Sequence, residues 1–119
     1  MSLYLFMPKT NLLFICSRNQ WRSPTAESLL KGSQDYEARS AGTEPSSRIH
    51  VSEKMIKWAD VIFVMEKKHK QRLMEKFSFA LETKPVHILD IPDDYQFMDP
   101  ELLEILKTAL AEYLEIEIR

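Results

Sequence analysis

Leu12-Leu13-Phe14-Ile15-Cys16-Ser17-Arg18-Asn19-Gln20-Trp21-Arg22-Ser23-Pro24 passes from apolar to polar and ends on a helix-start pair. The apolar run lacks polar alternation, as expected of a strand covered on both faces, and residues 11–15 form the first strand. A short polar loop follows. Ser23-Pro24 then opens a helix over 23–31, with Ser23 as N-cap and Pro24 at the first helical position. Cys16 therefore stands at the strand end of the loop and Arg22 at its helix end. Such a loop curls around a tetrahedral oxyanion, with the backbone N–H groups of Ser17, Arg18, Asn19, Gln20 and Trp21, the helix dipole and Arg22 aimed inward. The same positive field favours the thiolate of Cys16 over an inert buried thiol.

Outward from this stretch, strand and helix patterns alternate. Ala26, Leu29 and Leu30 supply the apolar stripe of the first helix. Residues 36–39 make a weaker second strand ending in Ser40-Ala41-Gly42-Thr43, and Ser52 caps a short helix carrying Met55, Ile56 and Ala59. Residues 61–65 repeat the apolar pattern of a doubly covered strand, a polar helix spans 67–77, and 86–89 form the fourth strand. Asp99-Pro100 opens the last helix, with Leu103, Leu106, Leu110 and Tyr113 along one face. This alternation predicts an α/β domain over 11–119, a parallel sheet wrapped by helices, preceded by an N-terminal extension over 1–10. Ligands of such sheets sit beyond the carboxyl ends of the strands, where the Cys16 loop and the segment after Leu89 both lie.

Composition narrows the function classes. With 119 residues and a formal net charge of −2, the chain has no bulk attraction for nucleic acid. The basic run Lys67-Lys68-His69-Lys70 with Arg72 reads as a solvated helix face, since Glu66 and Glu75 stand beside it. The apolar opening Leu3-Tyr4-Leu5-Phe6-Met7 is too short to span a bilayer and has no basic flank, so no membrane partner is expected. One cysteine makes no internal disulfide, which fits a cytoplasmic location. One cysteine and three scattered histidines offer no metal-ligand cluster, so no metal or other cofactor is expected.

A thiol facing a guanidinium across an anion-binding loop suits phosphate monoester hydrolysis. Cys16 would attack phosphorus, giving a phosphocysteine that water then cleaves to inorganic phosphate. Arg22 grips two equatorial oxygens with a planar fork that Lys lacks. Ser17 and Ser23 place hydroxyls near the sulfur, Ser23 doubling as a helix cap. The leaving oxygen needs a proton, and the acid-rich segment Asp90-Ile91-Pro92-Asp93-Asp94-Tyr95 follows the fourth strand, where a donor belongs. Each of these acids also reads as a turn residue, and Asp99 as a pure cap before Pro100. Carboxylic acids are mostly ionised at neutral pH, so an acid-assisted reaction is expected to run best below neutrality.

From Asn11 onward these residues resemble the low-molecular-weight protein tyrosine phosphatases, and more narrowly a small bacterial subgroup of them. The resemblance rests on the Cys-x5-Arg-Ser-Pro loop with Asn19 inside it, the Ser40-Ala41-Gly42-Thr43 stretch, and Ala59-Asp60-Val61-Ile62-Phe63-Val64-Met65. A late acid loop and closing helix complete it. It implies a three-layer domain with a four-stranded parallel sheet and cofactor-free hydrolysis of a phosphorylated protein or small phosphate ester. By position it makes Cys16 the nucleophile, Arg22 the phosphate clamp, Ser23 a stabiliser of the thiolate, and Asn19 and Ser40 supports of the loop. The acid becomes Asp93, with Asp94 and Asp90 as alternatives, and Tyr95 takes the aromatic place on the substrate rim.

The chain departs from the family pattern at several places. Arg18 occupies a position usually held by Gly, which is strained there if the backbone requires positive φ, a geometry that Asn19 tolerates better. Trp21 replaces a second loop cysteine, Gln20 matches neither common choice at a position that tunes phosphotyrosine against phosphoarginine, and Asp93-Asp94 stands for Asp-Pro. With one cysteine the disulfide relay of an arsenate reductase is closed. The alternative is a catalytically lapsed module that binds phosphate or a phosphopeptide.

Overall fold

A computed structural model describes residues 8–115 of the chain. The apolar cluster 3–7 and the end of the closing stretch, 116–119, lie outside the described residues. The elements run β1 (Thr10–Cys16), α1 (Arg22–Leu29), β2 (Tyr36–Gly42), α2 (Glu53–Trp58), β3 (Val61–Val64), α3 (Lys67–Leu81), β4 (Val86–Ile88) and α4 (Pro100–Leu110). The four strands form one sheet in the order β2-β1-β3-β4, and every pairing is parallel. This is the predicted α/β architecture.

Strand β1 carries the sheet because both of its faces are buried. Leu12, Phe14 and Cys16 point into a core shared with Leu30 at the end of α1 and with Leu102, Leu106 and Leu110 of α4. Leu13 and Ile15 point into the opposite core with Ile56 of α2 and Leu73 and Leu81 of α3. The alternation follows from the two-residue period of a strand. Phe14 and Phe63 stack at 5.4 Å across the β1–β3 pair.

The order also creates the site. The chain leaves β1 toward β2 on one side, while β3 joins β1 on the other. The connections after β1 and β3 therefore diverge and open a crevice at the carboxyl ends of the strands.

Several local expectations are corrected. Helix α1 begins at Arg22 with Trp21 as N-cap and no side-chain cap. Ser23 is not the cap, because its hydroxyl is turned to Cys16 and Asn19 instead. Pro24 thus falls on the third helical residue, still within the first turn, where a missing N–H costs no helical bond. Strand β2 continues through Ser40, Ala41 and Gly42, paired with Phe14, Ile15 and Cys16. Helix α3 runs four residues beyond the predicted end, across a non-helical Phe77. The buried stripe of α4 is Leu102, Leu106 and Leu110, continued by Leu114 just beyond the helix, so Leu103 is only half-buried. Tyr113 lies partly in solvent, its ring stacked on His87. Ser52 and Asp99 cap α2 and α4 as expected.

Phe63 joins β1, β3 and β4 through its contacts with Phe14 and His87. Phe63→Ala should cost about 3–5 kcal/mol of unfolding free energy, read as a lower denaturant midpoint at unchanged slope.

Candidate active site

A cleft of about 400 Å³ opens at the carboxyl ends of β1 and β3, lined by Cys16, Ser17, Arg18, Gln20, Trp21, Arg22, Glu44, Lys68 and Asp93. The loop from Cys16 to Arg22 forms its floor. Backbone contacts fix that loop from outside: Thr43 and Glu44 donate N–H bonds to the carbonyls of Cys16 and Ser17, and Arg48 donates to that of Arg18. Arg48 Nε also bonds the Asn19 carbonyl at 3.1 Å. Gly42 permits this approach, since a Cβ there would lie 2.7 Å from the Ser17 carbonyl and 2.3 Å from Ser47 Oγ.

Asn19 is left-handed, with φ 57°, and is the one residue of the loop in that region. Arg18 therefore carries no positive-φ strain, and the expected penalty for lacking Gly there does not arise. Asn accepts the left-handed geometry because its short polar side chain bonds locally. Here the two amide hydrogens of Asn19 go to Ser23 Oγ and Ser40 Oγ, each at 2.9 Å. Ser40 in turn donates to Glu27 Oε1 at 2.8 Å. With Asn19 donating to it, Ser23 has one hydrogen to give, and Cys16 Sγ stands 3.0 Å away. The Ala41 carbonyl, at 3.4 Å, is the weaker acceptor. The chain of contacts starts at an amide and ends at the buried sulfur, which meets Ser23 Oγ as donor when it is a thiol and as acceptor when it is a thiolate.

Arg22 is almost wholly buried, at 1% exposure. Its Nη1 spends both hydrogens, on Glu66 Oε2 at 2.6 Å and on the Ile91 carbonyl at 2.7 Å. The edge formed by Nη2 and Nε is left to face the cleft. Asp93 Oδ1 lies 3.7 Å from Nε, an ion-pair distance and too long for a hydrogen bond. Asp93 is half in solvent and lines the cleft. Asp94 and Asp90 do not line it; Asp90 takes a left-handed turn, φ 59°, just after β4. Tyr95 is not on the cleft either, because its ring packs against the hydrophobic cluster beneath. Burial and the nearby acids Glu101, Asp94 and Asp99 push its hydroxyl pKa up.

Four polar residues here escaped sequence reasoning in this role: Glu66, His69, Lys68 and Glu44. Glu66 caps α3: its backbone carbonyl accepts the His69 N–H at 3.0 Å, while His69 Nδ1 accepts the Glu66 N–H at 3.0 Å. His69 is not part of a solvated face. It is buried, and its Nε2 meets Ser17 Oγ at 2.9 Å. The readable signal was a Glu-x-x-His pair directly after an apolar strand, a reciprocal cap with His in place of Glu or Gln. Arg72, from the same basic run, pairs with Glu44 at the rim. That hydrogen bond and charge hold the Glu44 carboxyl below the usual range. Burial alone would raise the pKa of Glu66, but its bond to Arg22 and the Arg22 charge outweigh that and lower it. Among the described residues no group of His, Cys, Asp and Glu could hold a metal ion, and no helix is long and apolar enough to cross a membrane.

Burial, reinforced by the Arg22 charge, lowers the His69 pKa from 6.5 to about 4. The unfolded chain thus takes up this proton more readily than the folded one. The His69 contribution to stability is full above pH 6.5 and is lost as pH falls toward 4. Unfolding midpoints measured across that window should fall on acidification, and fall less in His69→Asn, which keeps an acceptor for the Glu66 N–H.

No protein-family model matches the sequence, and no curated protein matches it. Solved structures do match. A low molecular weight protein tyrosine phosphatase from T. tengcongensis is 21% identical, with a TM-score of 0.67 over 89% of this chain and 100% of that one. The tyrosine phosphatase Wzb from Escherichia coli K30, in complex with phosphate, is 18% identical, with a TM-score of 0.69 over 89% and 96%. The YwlE arginine phosphatase from Geobacillus stearothermophilus is 21% identical, with a TM-score of 0.60 over 91% and 99%. Strand order, crevice and loop placement together give this chain the low-molecular-weight protein tyrosine phosphatase fold.

Proposed function

We propose that the protein is a cysteine-dependent phosphomonoesterase, a protein tyrosine phosphatase acting through a phosphocysteine. The observation that carries this reading is the convergence of Cys16 Sγ, the donor chain through Asn19 and Ser23, and the free edge of Arg22 on one cleft. The Ser23 hydroxyl, 3.0 Å from the sulfur, suits a thiolate acceptor. A phosphoryl group seated in the loop presents its oxygens to Arg22 Nη2 and Nε and to the loop N–H groups. Cys16 attacks phosphorus as the ester P–O bond breaks, and the departing oxygen takes a proton from the Asp93 carboxyl. In the second step Asp93, now a carboxylate, takes a proton from water as water attacks the phosphocysteine. The P–S bond breaks, inorganic phosphate leaves and the thiolate returns.

Asp93 is preferred as the acid because it alone of the three candidate aspartates lines the cleft. The structural neighbours are named for tyrosine and arginine phosphatase activity, which supports a phosphorylated protein as substrate, with a small phosphate ester as the simpler case. A mechanism that needs a free thiol fits a reducing, cytoplasmic setting. The alternative, a lapsed phosphate- or phosphopeptide-binding module, draws on the missing loop Gly and on Asp93-Asp94 in place of Asp-Pro; the unstrained Arg18 weakens the first of these.

Hydrolysis of para-nitrophenyl phosphate from acid to mildly alkaline pH tests this reading. Turnover should peak below neutrality, disappear in Cys16→Ser, and fall by about 10²-fold or more in Asp93→Asn on esters with poor leaving groups. An alkaline optimum overturns the acid assignment. An inert native protein that still binds vanadate makes the cleft an anion receptor.

A further inference from the structure

Ser17 follows Cys16, lines the cleft, and is held through both its carbonyl and its hydroxyl. Its carbonyl accepts from Glu44 N–H at 2.9 Å and from Ser47 Oγ at 3.0 Å. Its hydroxyl oxygen meets His69 Nε2 at 2.9 Å. The direction of that last bond follows from the other ring nitrogen. Nδ1 accepts the Glu66 N–H, so it carries no hydrogen. A neutral imidazole has one N–H, which must then sit on Nε2 and be donated to Ser17 Oγ. Ser17 is the acceptor in this pair.

A hydroxyl that accepts still has its own hydrogen to give. Among the described residues the Ser17 hydroxyl makes no bond other than that to His69. The histidine occupies one side of the oxygen, and the cleft lies open to the residue.

We infer that Ser17 is a directed hydrogen-bond donor to the phosphoryl oxygens bound in the cleft, and that His69 is the positioning residue that aims it. The inference rests on the phosphatase reading for its substrate, while its geometry stands on the Glu66–His69–Ser17 contacts. Burial and the Arg22 charge keep His69 neutral over the working range, so the donor direction holds throughout it. A donor fixed before the reaction stabilises charge on the transferring group without reorganising at the moment of transfer. The two ends of the α3 cap then serve one site: Glu66 holds Arg22 and His69 holds Ser17.

Steady-state hydrolysis of para-nitrophenyl phosphate and binding of inorganic vanadate, measured on the same proteins, test this. Ser17→Ala should lower kcat by roughly 10- to 100-fold, with little change in thermal midpoint. Ser17→Thr should restore most of that activity and the nearly isosteric Ser17→Val should not. His69→Asn keeps the acceptor for Glu66 N–H but has no donor reaching Ser17, so it should reproduce the Ser17→Ala loss. The double variant should be no worse than the poorer single one. Ser17→Ala within twofold of native kcat, equal Thr and Val variants, or losses that multiply would overturn the inference. If the native protein turns over nothing, the phosphatase reading fails separately. Vanadate affinity then decides: a weakening of about tenfold in Ser17→Ala sustains the donor role, and unchanged affinity refutes it.

Discussion

A guanidinium taken out of water must be paired, and the pairing of Arg22 with Glu66 ties this site together. The 2.6 Å contact joins the first residue of α1 to the residue that caps α3, across the divergence of the connections after β1 and β3. Removing Glu66 would leave the charge of the buried Arg22 without its ionic partner, and burying an uncompensated charge is unfavourable. The geometry matters as much as the energy. With Nη1 consumed by Glu66 and the Ile91 carbonyl, the guanidinium cannot rotate without breaking two bonds, and the cleft meets a fixed Nη2–Nε edge.

Two hydrogen-bond chains converge on this cleft from opposite sides of the sheet. One passes from the Asn19 amide through Ser23 to Cys16, with Ser40 and Glu27 anchoring the amide's other hydrogen. The other passes from the Glu66 N–H through the His69 ring to Ser17. In each, a group with hydrogens only to give or a ring of fixed tautomer removes the freedom of a serine hydroxyl. Such directed donors are worth more in a buried, low-dielectric setting than the same groups in water. This also accounts for the uncapped start of α1. Ser23 gives up the cap to serve the sulfur, and the first helical N–H groups stay free.

Charge at the rim is mixed rather than uniformly basic. Glu44 and Asp93 face Arg18 and Lys68 across the cleft, and Arg72 reaches back to Glu44 from α3. Basic residues that looked like one solvated face of a helix are thus divided by the helical period: Lys68 turns to the cleft, His69 to the interior, and Arg72 to Glu44. The −2 net charge says little about this arrangement, which depends on position.

Local chemistry makes much of this legible in the sequence. The unbroken apolar runs at Leu12 and Val61 required strands covered on both faces, Asp99-Pro100 a helix start, and the polar residues between Cys16 and Arg22 a short loop from strand to helix, because each depends on neighbours in the chain. Features that depend on distant partners were not legible. Ser23 reads as a cap until Cys16 and Asn19 arrive to claim its hydroxyl, and Tyr95 reads as a rim residue until the core claims its ring. Leu102 and Leu103 compete for the core until α4 is docked on the sheet. His69 lies 52 positions from Ser17, a separation no periodicity encodes. The sequence by itself determined the fold class, the loop and the candidate acids, through periodicity and turn chemistry. Only the tertiary structure decided which hydrogen each buried polar group gives and to whom, because those bonds form between elements that meet only when the sheet is assembled.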